Sequence, residues 1–184
     1  MGKPKLLLRL GGWPVIRRVV ALVRAGGVDD VVVVVGHEKE ALREALTGLP
    51  VRFSENPVPE AGQAGSIQAG LRALSPTTEA ALIVLGDQPL LPAEVIPRLL
   101  EAYRRTGTPI VAPAYQGVQG NPVLFAASVF PELMTLAGDR GARAVLEKDP
   151  GRVTTVPFDF PMPADLDTPE EYEALRGGLA PPPS

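Results

Sequence analysis

The sequence predicts an α/β domain, a mostly parallel sheet carrying helices on both faces, and three observations predict it. Two uninterrupted apolar runs, Val31-Val32-Val33-Val34-Val35 and Ala80-Ala81-Leu82-Ile83-Val84, have the length of strands buried on both sides. Segments with apolar residues at helical spacing alternate with those runs. Glycine and proline punctuate the joints, as at Ala25-Gly26-Gly27 and Leu85-Gly86-Asp87-Gln88-Pro89. Strand and helix in regular alternation make crossover units, and those build parallel sheets covered on both faces.

Taken in order, Gly11-Gly12-Trp13-Pro14 is a turn, and Pro14 suits the first turn of a helix that buries Val15, Ile16, Val19, Val20 and Val23. The valine strand at 31–35 turns at Gly36-His37 into a helix over 38–46, followed by a short strand at 51–53. A loop over 55–65 leads to Ser66, the expected N-cap of a helix running to Leu74. The strand ending before Asp87 is followed by a helix near 92–105 and a strand at 110–112. Later come a turn-rich stretch at 117–122, a strand at 123–125, helices over 130–136 and 142–148, and a last strand at 153–156. Thr168 and Pro169 fit the N-cap and first position of a closing helix. One domain over 1–178 is expected, with 179–184 a Pro-rich, disordered tail.

Composition removes several function classes. There is no cysteine, so there is no thiolate chemistry and no disulfide framework, and a single histidine makes a His-rich zinc site or a Ser-His-Asp triad a poor expectation. The net charge of −3 argues against a nucleic-acid partner, and no apolar run has the length of a membrane span. No signal-peptide pattern opens the sequence, so a cytoplasmic location is expected. Any chemistry falls to carboxylates, lysine, arginine and backbone amides.

Asp87 stands where a buried strand meets its loop, the edge at which ligands bind in open α/β sheets. Two jobs suit it: holding a hard divalent cation, or capping the helix that starts near Pro92. The loop from Asn56 to Ser66 holds two glycines before a helix start, which suits a base or phosphate and equally suits a plain surface loop. Asp165 and Asp167 divide in the same way between metal binding and capping. Lys5, near Gly2, is either a phosphate neutraliser or a solvated side chain. His37 and Trp13 read as structural.

As an ordered set, the segments resemble a family. Met1-Gly2-x-x-Lys5-Leu6-Leu7 is similar to the tail of the Gly-rich signature of the MobA-like nucleotidyltransferases. Gly12-x-Pro14, Val31–Gly36, Asn56-Pro57…Gly62…Ser66-Ile67-x-x-Gly70, Leu85-Gly86-Asp87-x-Pro89, Gly120-Asn121-Pro122-Val123-Leu124-Phe125, Gly138-Asp139-x-Gly141-Ala142-Arg143 and Asp165-Leu166-Asp167-Thr168-Pro169 follow in the family's order. The branch most resembled is the molybdenum cofactor cytidylyltransferases. The resemblance implies a Rossmann-like three-layer sandwich, Mg²⁺ as cofactor, and transfer of CMP from CTP to molybdenum-bound molybdopterin with release of pyrophosphate. GTP, another small phosphate acceptor, or a non-catalytic carrier or maturation chaperone are the alternatives, with a molybdoenzyme or its chaperone as a possible partner.

Carried over by position, Lys5 and Asp87 are implied as catalytic, and Asp87 and Asp167 as the Mg²⁺ ligands. Gly2, Lys5, Asn56, Gly62, Ser66 and Asp87 are implied in nucleotide binding. Gly120, Asn121, Gly138, Asp139, Gly141 and Arg143 are implied on the acceptor side. The sequence departs from the family at its beginning, where members carry a first buried strand and a Leu-Ala-Ala-Gly-x-Ser-x-Arg loop. The first reading of that departure is a start assigned too late or a chain lacking its first residues; the second, a true short form, would leave a gap with unpaired backbone groups beside Val31–Val35.

Overall fold

A computed structural model describes residues 4–166 and 171–173 of the chain. It opens with a single 3-10 turn over Lys5–Leu7 and a small hairpin of β1 (Arg9–Leu10) and β2 (Trp13–Pro14) around Gly11 and Gly12. Next come α1 (Val15–Ala25), β3 (Val32–Val35), α2 (Lys39–Ala45), β4 (Arg52–Glu55), α3 (Gln63–Arg72), β5 (Ala80–Ile83) and α4 (Val95–Thr106). The second half holds β6 (Ile110–Tyr115), β7 (Val118–Gln119), β8 (Val123–Ala126), α5 (Phe130–Leu133), α6 (Arg143–Lys148) and β9 (Val153–Phe158). No helix among the described residues is long and apolar enough to cross a membrane.

The layers follow from the strands' two-residue period. On one face, Val111 and Tyr115 of β6 and Leu124 of β8 pack with Ile16, Val19 and Val23 of α1 and Ile96 and Leu99 of α4. On the other, Ile110, Ala112, Val123 and Phe125 join Leu133 of α5, Val145 and Leu146 of α6, and the half-buried Ile67 and Leu71 of α3. Helices therefore cover both faces, the expected three-layer sandwich. α4 ends as its sequence requires: Gly107 takes a left-handed φ of +62° and its N–H reaches the Tyr103 carbonyl.

The sheet itself is in two parts. β3 and β4 form a parallel pair, with Val32 opposite Arg52 and Val35 opposite Glu55. β5, β6 and β9 run in one direction, and β8 lies antiparallel between β5 and β6. β3 pairs only with β4 and β5 only with β8, so each keeps one edge with no strand partner among the described residues.

That division corrects two expectations. Ala80–Ile83 is half-buried throughout rather than enclosed, because one edge of β5 has no strand neighbour among the described residues and an apolar groove runs past Ala80 and Leu82 to Val28, Leu100 and Tyr103. The valine strand alternates, with Val33 and Val35 buried and Val32 and Val34 partly exposed. Boundaries move as well. β6 and β9 run on to Tyr115 and Phe158, and α5 spans only four residues behind a 3-10 turn at Ala127–Val129. α3 begins at Gln63 with Gly62 at its N-cap, so Ser66 lies inside the helix and does not cap it. The start of the expected closing helix, with Thr168 and Pro169, lies outside the described residues; 171–173 are helical.

Candidate active site

Asp87 emerges four residues beyond the end of β5, and its carboxylate Oδ2 sits 2.6 Å from the Lys5 ammonium. These two residues are 82 positions apart in the chain, and small side chains explain how they meet. A Cβ on Gly86 would lie 3.2 Å from Ile16 Cδ1 and 3.4 Å from a Leu6 methyl carbon. Glycine there lets Leu6 pack over the turn, and Leu6 carries its neighbour Lys5 to Asp87. The helix-capping alternative for Asp87 fails, since α4 starts only at Val95 and has no side-chain cap.

Two further bonds anchor this turn to the far end of the chain. The Leu166 N–H donates to the Asp87 carbonyl at 3.1 Å, and Gln88 Nε2 donates to Asp165 Oδ1 at 2.7 Å. Gln88 is 4% exposed and its Oε1 is buried with no hydrogen-bond partner among the described residues. The resemblance did not single out Gln88. Its signal in the sequence is a neutral amide between a strand-end aspartate and a proline, where either a buried or a solvated side chain would fit. A cleft of about 240 Å³ opens beside Lys5, bounded by Pro4, Leu6, Glu38 and Leu42. It brings the loop after β3 to the same edge as the loop after β5.

The donor chemistry suits a hard cation. Mg²⁺ takes oxygen ligands, keeps several waters and needs only one or two carboxylates. Asp87 supplies one, partly buried. Among the described residues no three acidic or histidine side chains cluster, and Asp167 and Gly2 lie outside them.

A second group of predicted residues gathers at the start of α3. Asn56, 6% exposed, donates from Nδ2 to Ser66 Oγ at 3.1 Å and accepts from the Val58 N–H at 3.1 Å. Its amide is spent on holding the loop after β4, so both Asn56 and Ser66 shape the loop's backbone. Gly62 has φ +100°, and a Cβ there would fall 2.5 Å from the Gly138 carbonyl carbon and 2.6 Å from Asp139 Oδ1. Gly141, at φ +54°, faces Gln63 with similar closeness, a Cβ falling 2.5 Å from Gln63 Oε1. The loop assigned to the nucleotide and the segment assigned to the acceptor are thus pressed together, glycine against glycine. Gln68 of α3 reinforces the junction by donating to the Met134 and Leu136 carbonyls.

Residues 1–153 match the MobA-like NTP transferase domain family. The chain belongs to that family. As a MobA-like domain it is similar over nearly its whole length to the nicotine blue oxidoreductase of Paenarthrobacter nicotinovorans, at 29% identity over 94% of this chain and 87% of that protein. The bifunctional protein GlmU of Syntrophomonas wolfei is 34% identical over 55% of this chain, which spans only 22% of that protein's length. Among solved structures, Rv0371c of Mycobacterium tuberculosis H37Rv in complex with manganese superposes with a TM-score of 0.81 at 27% identity, covering 96% of this chain and 94% of that one.

The remaining family positions of this MobA-like domain lie elsewhere. The Tyr115 hydroxyl donates to the Asn121 carbonyl at 2.6 Å, next to a cis Asn121–Pro122 bond, and a Cβ on Gly120 would sit 2.9 Å from the Tyr115 ring. Both residues therefore form a packed turn beside the stacked Tyr115 and Phe158 rings. Burial raises the Tyr115 phenol well above its ordinary range. Arg143 is 84% exposed and bonds Glu147 one helical turn on, at 2.9 Å. His37 forms an exposed pair with Glu60 at 3.2 Å, joining the loops after β3 and β4, and Trp13 lies under the Arg17 guanidinium.

Proposed function

We propose that the chain is an Mg²⁺-dependent nucleotidyltransferase that transfers CMP from CTP to a phosphate of a molybdenum-loaded molybdopterin and releases pyrophosphate. The observation that carries the reading is the pairing of Lys5 with Asp87, at 2.6 Å, on the turn that closes β5. A phosphate attacking a triphosphate sets anion against anion, so charge neutralisation and in-line positioning are the main needs and no protein nucleophile is required. A chain without cysteine and with one histidine meets them with a lysine and a carboxylate.

An oxygen of the acceptor phosphate forms the new bond to the α-phosphorus, the bond from that phosphorus to the bridging α,β-oxygen breaks, and pyrophosphate leaves with its electron pair. Lys5 neutralises charge on the triphosphate. Asp87, with Asp167, would hold Mg²⁺, which supplies Lewis-acid stabilisation of the phosphate oxygens when bound. The α3 N-terminus, with Gly62 and Ser66, lines the nucleotide side, and the segments at 120–121 and 138–143 the acceptor side. The preference for CTP and molybdopterin rests on the Ser66-Ile67-x-x-Gly70, Gly120-Asn121-Pro122-Val123 and Gly138-Asp139-x-Gly141-Ala142-Arg143 segments.

The test supplies Mg²⁺, molybdenum-loaded molybdopterin and each nucleoside triphosphate in turn, and measures pyrophosphate. Release with CTP alone supports the proposal. Release with GTP moves the base assignment, and release with a sugar phosphate moves the acceptor. No release with any triphosphate, from protein that binds the pterin, would indicate a carrier.

A further inference from the structure

Gln88 combines features that stability alone does not call for. It is 4% exposed, it spends its Nε2 on Asp165 at 2.7 Å, and it leaves Oε1 buried without a partner among the described residues. The direction of that bond is set by charge. An ionised carboxylate only accepts, so the amide must turn its NH₂ toward Asp165 and its oxygen away. A leucine or methionine of similar volume would fill the same space and bury no unmatched oxygen. Beside it, the Leu166 N–H donates to the Asp87 carbonyl at 3.1 Å. The residue pair 87–88 and the pair 165–166 are therefore joined by one backbone and one side-chain bond, the backbone one made to Asp87 itself.

We propose that Gln88 is a positioning residue for cation binding at Asp87: it clamps the Asp165–Leu166 segment to the turn after β5 and so fixes the surroundings of the Asp87 carboxylate. This rests on the reading of Asp87 as a cation ligand. Gln88 itself ligates nothing and acts through the Asp165–Leu166 segment that it holds. Partners that orient a ligand from behind typically change metal affinity by about 10–100-fold when removed.

The experiment measures Mn²⁺ binding to the full chain by the loss of free-ion electron paramagnetic resonance signal, alongside thermal unfolding. Gln88→Leu removes the donor without adding charge and is expected to weaken Mn²⁺ about tenfold while the protein stays folded. Gln88→Glu sets two carboxylates face to face and is expected to weaken it at least as much. Adding Asp165→Asn to Gln88→Glu reverses the bond, with the amide introduced at position 165 now donating to the carboxylate introduced at position 88, and is expected to restore binding to within about threefold. A purely structural Gln88 would change the unfolding temperature and leave the Mn²⁺ dissociation constant alone, and that result overturns the proposal. So does failure of the reversed pair to recover binding, or an Asp165→Asn single variant that loses Mn²⁺ as fully as Asp87→Asn, since Asp165 would then be a ligand. If Asp87→Asn binds Mn²⁺ like the unaltered chain, the ligand reading of Asp87 has failed, which is a separate result from an inert Gln88→Leu.

Discussion

Gly62→Ala is the most informative single change to the loop that precedes α3. Gly62 adopts φ +100° and ψ −179°, a region open essentially to glycine alone. Forcing alanine there costs about 2 kcal/mol of backbone strain. The new methyl would also fall 2.5 Å from the carbonyl carbon and 2.6 Å from the carbonyl oxygen of Gly138, backbone atoms that cannot swing aside like a side chain. Overpacking of that kind adds about 2 kcal/mol more. Together these give about 4 kcal/mol, and at about 2–4 °C per kcal/mol for a chain of this size the melting temperature falls by roughly 8–16 °C. Gly107→Ala is the matched control: its φ is also positive, at +62°, but nothing lies within 4 Å of its Cβ position. Its cost is the left-handed conformation alone, about 1 kcal/mol. Thermal unfolding by circular dichroism compares the two. Equal losses would refute the close packing of the 138–141 turn on the start of α3, and with it the view that nucleotide and acceptor segments form one wall.

Asp87→Asn is expected to reduce turnover by at least roughly a hundredfold with an unchanged circular dichroism spectrum, because one charge at a turn is lost and no packing is disturbed; an unfolded variant would show the carboxylate to be a structural anchor. Lys5→Met should raise the KM for the triphosphate and steepen its dependence on Mg²⁺, which initial-rate kinetics at varied metal would register. Glu132 accepts from Arg152, and this bond holds its carboxyl below the usual carboxylate range. The contribution of the pair is therefore full above the unfolded pKa of about 4.3 and is lost as pH falls through the lower folded value. Glu132→Gln should accordingly melt below the unaltered chain at neutral pH, with the gap closing in acid. Tyr115→Phe removes the bond to the Asn121 carbonyl and should cost about 1 kcal/mol in denaturant unfolding.

The sandwich was legible because periodicity reports burial, and the α1 residues Val15, Ile16, Val19, Val20 and Val23 are all buried as their spacing predicts. Burial on both faces of β5 was not legible from Ala80–Val84, because an apolar run records the chemistry of a strand and not whether a neighbour covers its edge. The turn at Asp87 after β5 could be read from Gly86 and Pro89, while the meeting of Asp87 with Lys5 depends on Leu6 packing over Gly86, a contact that local patterns do not encode. Ser66 has the chemistry of an N-cap, but Gly62 offers a conformation Ser66 does not need, and the helix starts four residues earlier than a Ser66 cap would place it. Gln88 is the case furthest from the sequence: only its buried bond to Asp165 distinguishes it from a solvated loop amide.

The Asp30–Arg52 pair bears on how β3 enters the sheet. A run of five valines carries no charge or size difference of its own to fix its register against a neighbour. Asp29 and Asp30 stand immediately before that run, and Asp30 is held there by Arg52 from the neighbouring strand at 2.7 Å. The Asp30–Arg52 pair thus pins Val32 opposite Arg52 at the start of the β3–β4 ladder, and a slip of one residue there would turn the buried Val33 and Val35 away from the core.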